Sequence, residues 1–145
     1  MSNDAATATS SEEISPQDAW QMLQEDPRAQ LVDVRTEPEW IYVGMPALGT
    51  AEKPVLQVSW QTFPKMIENE EFIAQLAKAV QAPDQPLLFL CRSGGRSLAA
   101  ARAAKAAGFS RTYSVAGGFE GPPDEQGHRG RIAGWKSAGL PWRQT

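Results

Sequence analysis

The chain has 145 residues, 41% of them hydrophobic and 21% charged, with a net charge of -3. That make-up suits one globular domain able to bury roughly 70% of its unfolded surface. The acidic balance argues against nucleic acid as the main partner, and no apolar run approaches the ~20 residues of a membrane span. The single cysteine excludes an internal disulfide, so cytoplasm is the expected compartment.

Residues 1–13, MSNDAATATSSEE, are polar and acidic, with neither a basic start nor an apolar segment. They are predicted to form a disordered tail rather than a secretory signal, leaving 14–145 as the domain. Ser15-Pro16-Gln17-Asp18 reads as a helix start: serine caps, proline suits the first turn and the acid completes a capping box. The helix is predicted to run to about Glu25 and to bury Ala19, Trp20 and Leu23. Leu31 to Val34 reads as a strand, and Thr36-Glu37-Pro38-Glu39 repeats the helix-start pattern directly after it.

Val55 to Val58 is a further strand candidate. Asn69 to Val80 carries Phe72, Ile73, Leu76 and Val80 on one helical face. Leu87 to Leu90 is apolar on both faces, the pattern of a buried central strand in a parallel sheet. Ser97 to Ala107 has high helix propensity and stops at Gly108. Arg111 to Ala116 is the last long strand candidate, ended by Gly117-Gly118; 117–134 reads as loop, and a short helix around Ile132 to Ala138 is expected to carry Trp135. Strands alternating with helices imply an open α/β sheet in a single unit.

The only cysteine, Cys91, stands where the most apolar strand ends. In open α/β sheets ligands bind beyond the carboxyl ends of the strands. The residues that follow curl into the N-terminus of the next helix, where backbone N–H groups are unpaired. Gly94 and Gly95 permit the backbone angles such a bend needs. Arg92 and Arg96 add positive charge: from Gln85 to Phe119 there are five basic residues and no acid. The whole block describes an anion site around a nucleophilic sulfur, since helix N-termini and nearby cations favour thiolate.

The loop Cys91-Arg92-Ser93-Gly94-Gly95-Arg96-Ser97 resembles the active-site loop of rhodanese-like sulfurtransferases. "LVDVRTEPEW" (31–40) is similar to the family's upstream Asp-x-Arg segment, and "GWKSAGLPW" (134–142) to its closing helix and tail. The resemblance implies an open, mainly parallel sheet of about five strands with helices on both faces. It also implies a Cys91 persulfide that moves sulfane sulfur from a donor such as thiosulfate to cyanide or a thiol. Arg92, Ser93, Gly94, Gly95, Arg96 and Ser97 would bind the donor, with Asp33 and Arg35 supporting the loop as a buried ion pair.

Cys91 to Arg96 spans six positions. The related phosphatases and arsenate reductases of the same fold use a loop one residue longer, often with histidine before the cysteine, where this chain has Leu90. The alternatives are a persulfide carrier or binding module in a sulfur relay, handing sulfur to a protein, and, further off, such a phosphatase or reductase. No cofactor is implied, and one Cys with one His cannot assemble a usual zinc site. The sequence departs from the family at "VGMPALG" (43–49), where Gly-His-Ile-Pro-Gly is common, and its 117–135 stretch is long. His128 in that stretch reads as solvated, and Trp40, Trp60 and Trp142 as packing residues.

Overall fold

The computed structural model describes residues 12–48 and 53–144. Most of the tail expected over 1–13 therefore lies outside the described residues. Its last two residues do not: the Glu12 carbonyl accepts the Ser114 N–H at 2.8 Å, and Glu13–Ile14 is strand β1, paired in parallel with Ser114 and Val115. Helix α1, Pro16–Glu25, starts as its sequence dictates, with the Ser15 hydroxyl accepting the Asp18 N–H at 3.0 Å. Ala19 and Leu23 are buried and Trp20 is half-buried.

Strand β2 is Gln30–Asp33, β4 is Leu56–Gln57, β7 is Leu87–Leu90 and β8 is Thr112–Val115. With β1 they form one five-stranded sheet in the order β1-β8-β7-β2-β4, every pair parallel. Helix α2 is Phe72–Ala79 and α3 is Gly95–Ala106. The pleat of β7 sorts its side chains into two cores. Leu87 and Phe89 pack with Phe72, Leu76, Ala100 and Ala104 of α2 and α3. Leu88 and Leu90 pack with Ala19 and Leu23 of α1 and with Phe119 and Trp135. Helices thus cover both faces, and β7 is buried at every position.

Three expectations give way. The helix-start pattern at Thr36 yields only a short π-helical turn, Glu39–Val43, ended by Gly44 at φ +117°. Helix α3 begins at Gly95 rather than Ser97, so Arg96 belongs to its first turn. No regular helix forms around Ile132–Ala138. The chain makes turns there, with the Ala138 N–H on Gly134 O at 3.0 Å and the Gly139 N–H on Lys136 O at 3.0 Å. Gly134 at φ +102° and Gly139 at φ +76° lie too close together for a helix to propagate between them. Trp135 is nevertheless fully buried, its indole N–H donating to Pro141 O at 2.7 Å.

Two small antiparallel pairs lie outside the main sheet. Met45–Pro46 (β3) pairs with Trp142–Arg143 (β9), and Gln61–Thr62 (β5) with Ile67–Glu68 (β6). No helix among the described residues is long and apolar enough to cross a membrane.

Candidate active site

Cys91 follows β7 directly and is 1% exposed. Its side chain joins the core on the α2 and α3 side of the sheet. The six residues from Cys91 to Arg96 turn the chain into α3, and Gly94, the N-cap, makes the turn at φ +116°. That left-handed geometry lets the Gly94 N–H point inward, where it donates to Cys91 Sγ at 3.1 Å. The amides of Gly95, Arg96 and Ser97 open the helix and have no intrahelical acceptor. Arg92, Ser93 and Gly95 are at the rim, with Arg92 exposed.

Ser97 is fully buried below the sulfur. Its hydroxyl accepts from Cys91 Sγ at 3.3 Å, donates to Gly94 O at 3.1 Å, and lies 2.7 Å from the Ser114 hydroxyl of β8. Ser114 is also fully buried. Sequence reasoning misses it, because a serine inside an apolar-leaning strand is its only trace there.

The loop is held from behind by residues 117–121. The Phe119 N–H donates to Cys91 O at 2.7 Å, and the Glu120 and Gly121 N–H groups share Arg92 O at 2.9 and 3.1 Å. Gly118 sits so close that a Cβ there would lie 2.5 Å from Cys91 O and 2.6 Å from Arg92 C. The sequence signals this glycine only as the end of a strand. Asp33 and Arg35 form a fully buried ion pair at 2.7 Å. Arg35 also donates to Gly44 O at 2.7 Å and lies 4.5 Å over the Phe119 ring, which ties the end of β2 to the segment behind the cysteine.

Arg96 is not free to face the loop centre. Its Nη1 and Nη2 bind the two oxygens of Glu39 at 2.8 and 2.9 Å. Glu39 is the acid of the helix-start pattern, and the Thr36 N–H and hydroxyl also close on its Oε1, at 3.1 and 2.9 Å. Burial opposes ionisation of Glu39, but the Arg96 hydrogen bonds, the Thr36 N–H and the Arg96 charge together outweigh it and lower the carboxyl from 4.5 to about 2. The hydrogen bond to Glu39 raises Arg96 in turn, against burial, with the charges of Glu39, Cys91 and Asp33 adding to it. Arg92 forms no ion pair among the described residues.

His128 is exposed, and its ring has no hydrogen-bond partner among the described residues; its backbone closes a tight loop on Asp124. Trp60 packs edge-on against Phe72 with centroids 5.2 Å apart, and Trp142 does so against Phe119 at 6.0 Å. Lys136 lies 4.0 Å over the Trp142 ring, and burial pushes its ammonium down from the usual lysine value.

A family model described as the STR4 middle domain matches residues 12–145. The crystal structure of Rv0390 from M. tuberculosis is 46% identical, covers 92% of this chain and 98% of its own, and superposes with a TM-score of 0.84. An uncharacterized protein of Rickettsia conorii is 37% identical over 86% of this chain and 91% of its own length. The thiosulfate sulfurtransferase GlpE of Glaesserella parasuis is 28% identical over 75% of this chain and 83% of its own.

Proposed function

The chain belongs to the STR4 middle-domain family and has a rhodanese-like fold, and from that membership we propose that it is a sulfurtransferase working through a persulfide on Cys91. One observation carries the reading. The Sγ of Cys91 sits at the head of a six-residue loop that runs into the N-terminus of α3, accepts the Gly94 N–H at 3.1 Å and lies 3.3 Å from the Ser97 hydroxyl. The thiolate and the persulfide that replaces it would both lie at this helix N-terminus, where unpaired amides favour negative charge.

The thiolate attacks the outer sulfur of thiosulfate. The sulfur–sulfur bond of the donor breaks, a new one forms to Cys91, and sulfite leaves with the electron pair, needing no general acid. The charge that builds towards sulfite faces the amides of Gly95, Arg96 and Ser97 and the exposed Arg92. Cyanide or a thiol then attacks the outer sulfur of the persulfide, carries it off, and returns the thiolate. Asp33 and Arg35 act on none of these atoms; they hold the wall against which the loop rests. The short loop keeps the amide ring tight around sulfur, which disfavours the bulkier tetrahedral oxyanion of a phosphatase.

The test is an intact-mass measurement before and after thiosulfate. One sulfur atom is expected to be gained by the wild type and removed by cyanide. Cys91→Ser is expected to fold and to gain none. Sulfur transfer that persisted in that variant would end the proposal, because the chain has no second thiol.

A further inference from the structure

The sequence places two arginines in the cysteine loop, but the structure commits one of them to Glu39. Both terminal nitrogens of Arg96 are engaged by that carboxylate, and neither side chain is more than 18% exposed. Thr36 clamps the same carboxylate through its N–H and its hydroxyl, so Glu39 is anchored independently of Arg96. An arginine so used offers no two-pronged grip to an incoming anion, and the pair contributes no net charge. What faces the donor is then the open N-terminus of α3, equivalent to about half a positive charge, together with Arg92 on the rim.

Such a field is a poor match for a doubly charged ligand arriving at a thiolate. We infer that Glu39, by neutralising Arg96, tunes the Cys91 site towards sulfane donors carrying no more than one negative charge, the hydropersulfides and thiosulfonates, over the thiosulfate dianion. The inference rests on the sulfur-transfer reading above and names its substrate class. With a hydropersulfide R–S–SH, the thiolate attacks the outer sulfur, the S–S bond of the donor breaks, and R–S⁻ leaves with the electron pair. The proton of the outer sulfur stays on the Cys91 persulfide. With a thiosulfonate the same attack expels a sulfinate. Glu39 touches neither donor nor sulfur; it is a positioning residue that acts through Arg96.

Coulomb energy scales with the charge of the ligand, which makes the test quantitative without knowing the pocket's dielectric. Single-turnover sulfur loading of the full chain would be followed by intact mass, with thiosulfate and with methanethiosulfonate, whose outer sulfur is alike and whose charge is half. In Glu39→Gln the loading rate is expected to rise by about 10-fold for thiosulfate and only about 3-fold for methanethiosulfonate, the smaller factor being the square root of the larger. Added salt is expected to shrink both. Glu39→Ala, which removes the charge without the amide isostere, is expected to give the same relation, and Glu39→Asp to restore the wild-type preference. A purely structural role would change both donors by one common factor. That result, or a slower reaction with thiosulfate in both neutral variants, would overturn the inference and leave sulfur transfer standing. Failure of wild type to load from either donor would overturn the sulfur-transfer reading and this inference with it.

Discussion

Replacing Gly118 by alanine puts the support behind the cysteine loop to a direct test. Gly118 has φ +65°, a conformation that costs an L residue about 1–2 kcal/mol. The added Cβ would also lie 2.5 Å from Cys91 O and 2.6 Å from both Arg92 C and Arg92 O. Those are backbone atoms, so no side chain can swing away. The loop carbonyls must move from the amides of Phe119, Glu120 and Gly121, at a further cost of about 1–3 kcal/mol for overpacking. The expected loss is about 2–5 kcal/mol in urea unfolding followed by tryptophan fluorescence. Sulfur loading from thiosulfate is expected to slow as well, since the Cys91 and Arg92 peptides carry the rim of the site. Gly95→Ala is the control. A Cβ at Gly95 would meet nothing within 4 Å and its φ is not positive, so stability is expected to hold or rise by about 0.4–1 kcal/mol. A Gly118→Ala protein as stable as Gly95→Ala would refute the close contact on which the reasoning depends.

Further outcomes follow from the two ion pairs and the loop length. The folded-state pKa of Glu39 is depressed, so its stabilising contribution is fully present above 4.5 and is lost as pH falls towards about 2. The stability gap between wild type and Glu39→Gln, about 1–2 kcal/mol near neutral pH after allowance for solvent contact, is expected to close across that window in pH-dependent unfolding. A gap independent of pH would remove the charge from the explanation. Arg35→Met strands the buried Asp33 carboxylate and is expected to cost about 3–5 kcal/mol, whereas the double variant with Asp33→Asn recovers part of it; simple additivity in chemical denaturation would contradict the pairing. Inserting one glycine after Gly95 widens the amide ring around the sulfur, and loading from thiosulfate is expected to fall about 10-fold or more in stopped assays.

The sequence made the centre of the molecule legible because local and global signals agree there. Leu87 to Leu90 has no polar face, which only a doubly covered strand tolerates, and the glycines after Cys91 leave few other ways for the chain to turn into a helix. Ser15 and Asp18 likewise act within one turn of each other. What escaped the reading is long-range. Glu39 and Arg96 each carry a local meaning of their own, an acid in a helix start and a cation in an anion loop, and nothing in either neighbourhood says that they bind each other. The closing segment misled for a related reason: apolar spacing around Trp135 reads as helix, but Gly134 is pressed against the carbonyls of Gly117 and Gly118, and that contact decides its backbone. Gly118 itself matters through what it approaches, which no neighbouring residue announces.

The support of the cysteine loop comes from the part of the described chain that is made last. A chain grows from its amino terminus, and a nascent protein that has reached Val115 already contains every strand of the large sheet and the nucleophile. The amides that seat the Cys91 and Arg92 carbonyls belong to Phe119, Glu120 and Gly121, and the Trp135 N–H that fastens Gly118 O comes later still. Strand β9 then closes on β3 after every other described strand has been made. The seat of the Cys91 loop is thus supplied by residues that lie beyond the last strand of the large sheet, and a protease cut among them is expected to loosen that loop without touching it.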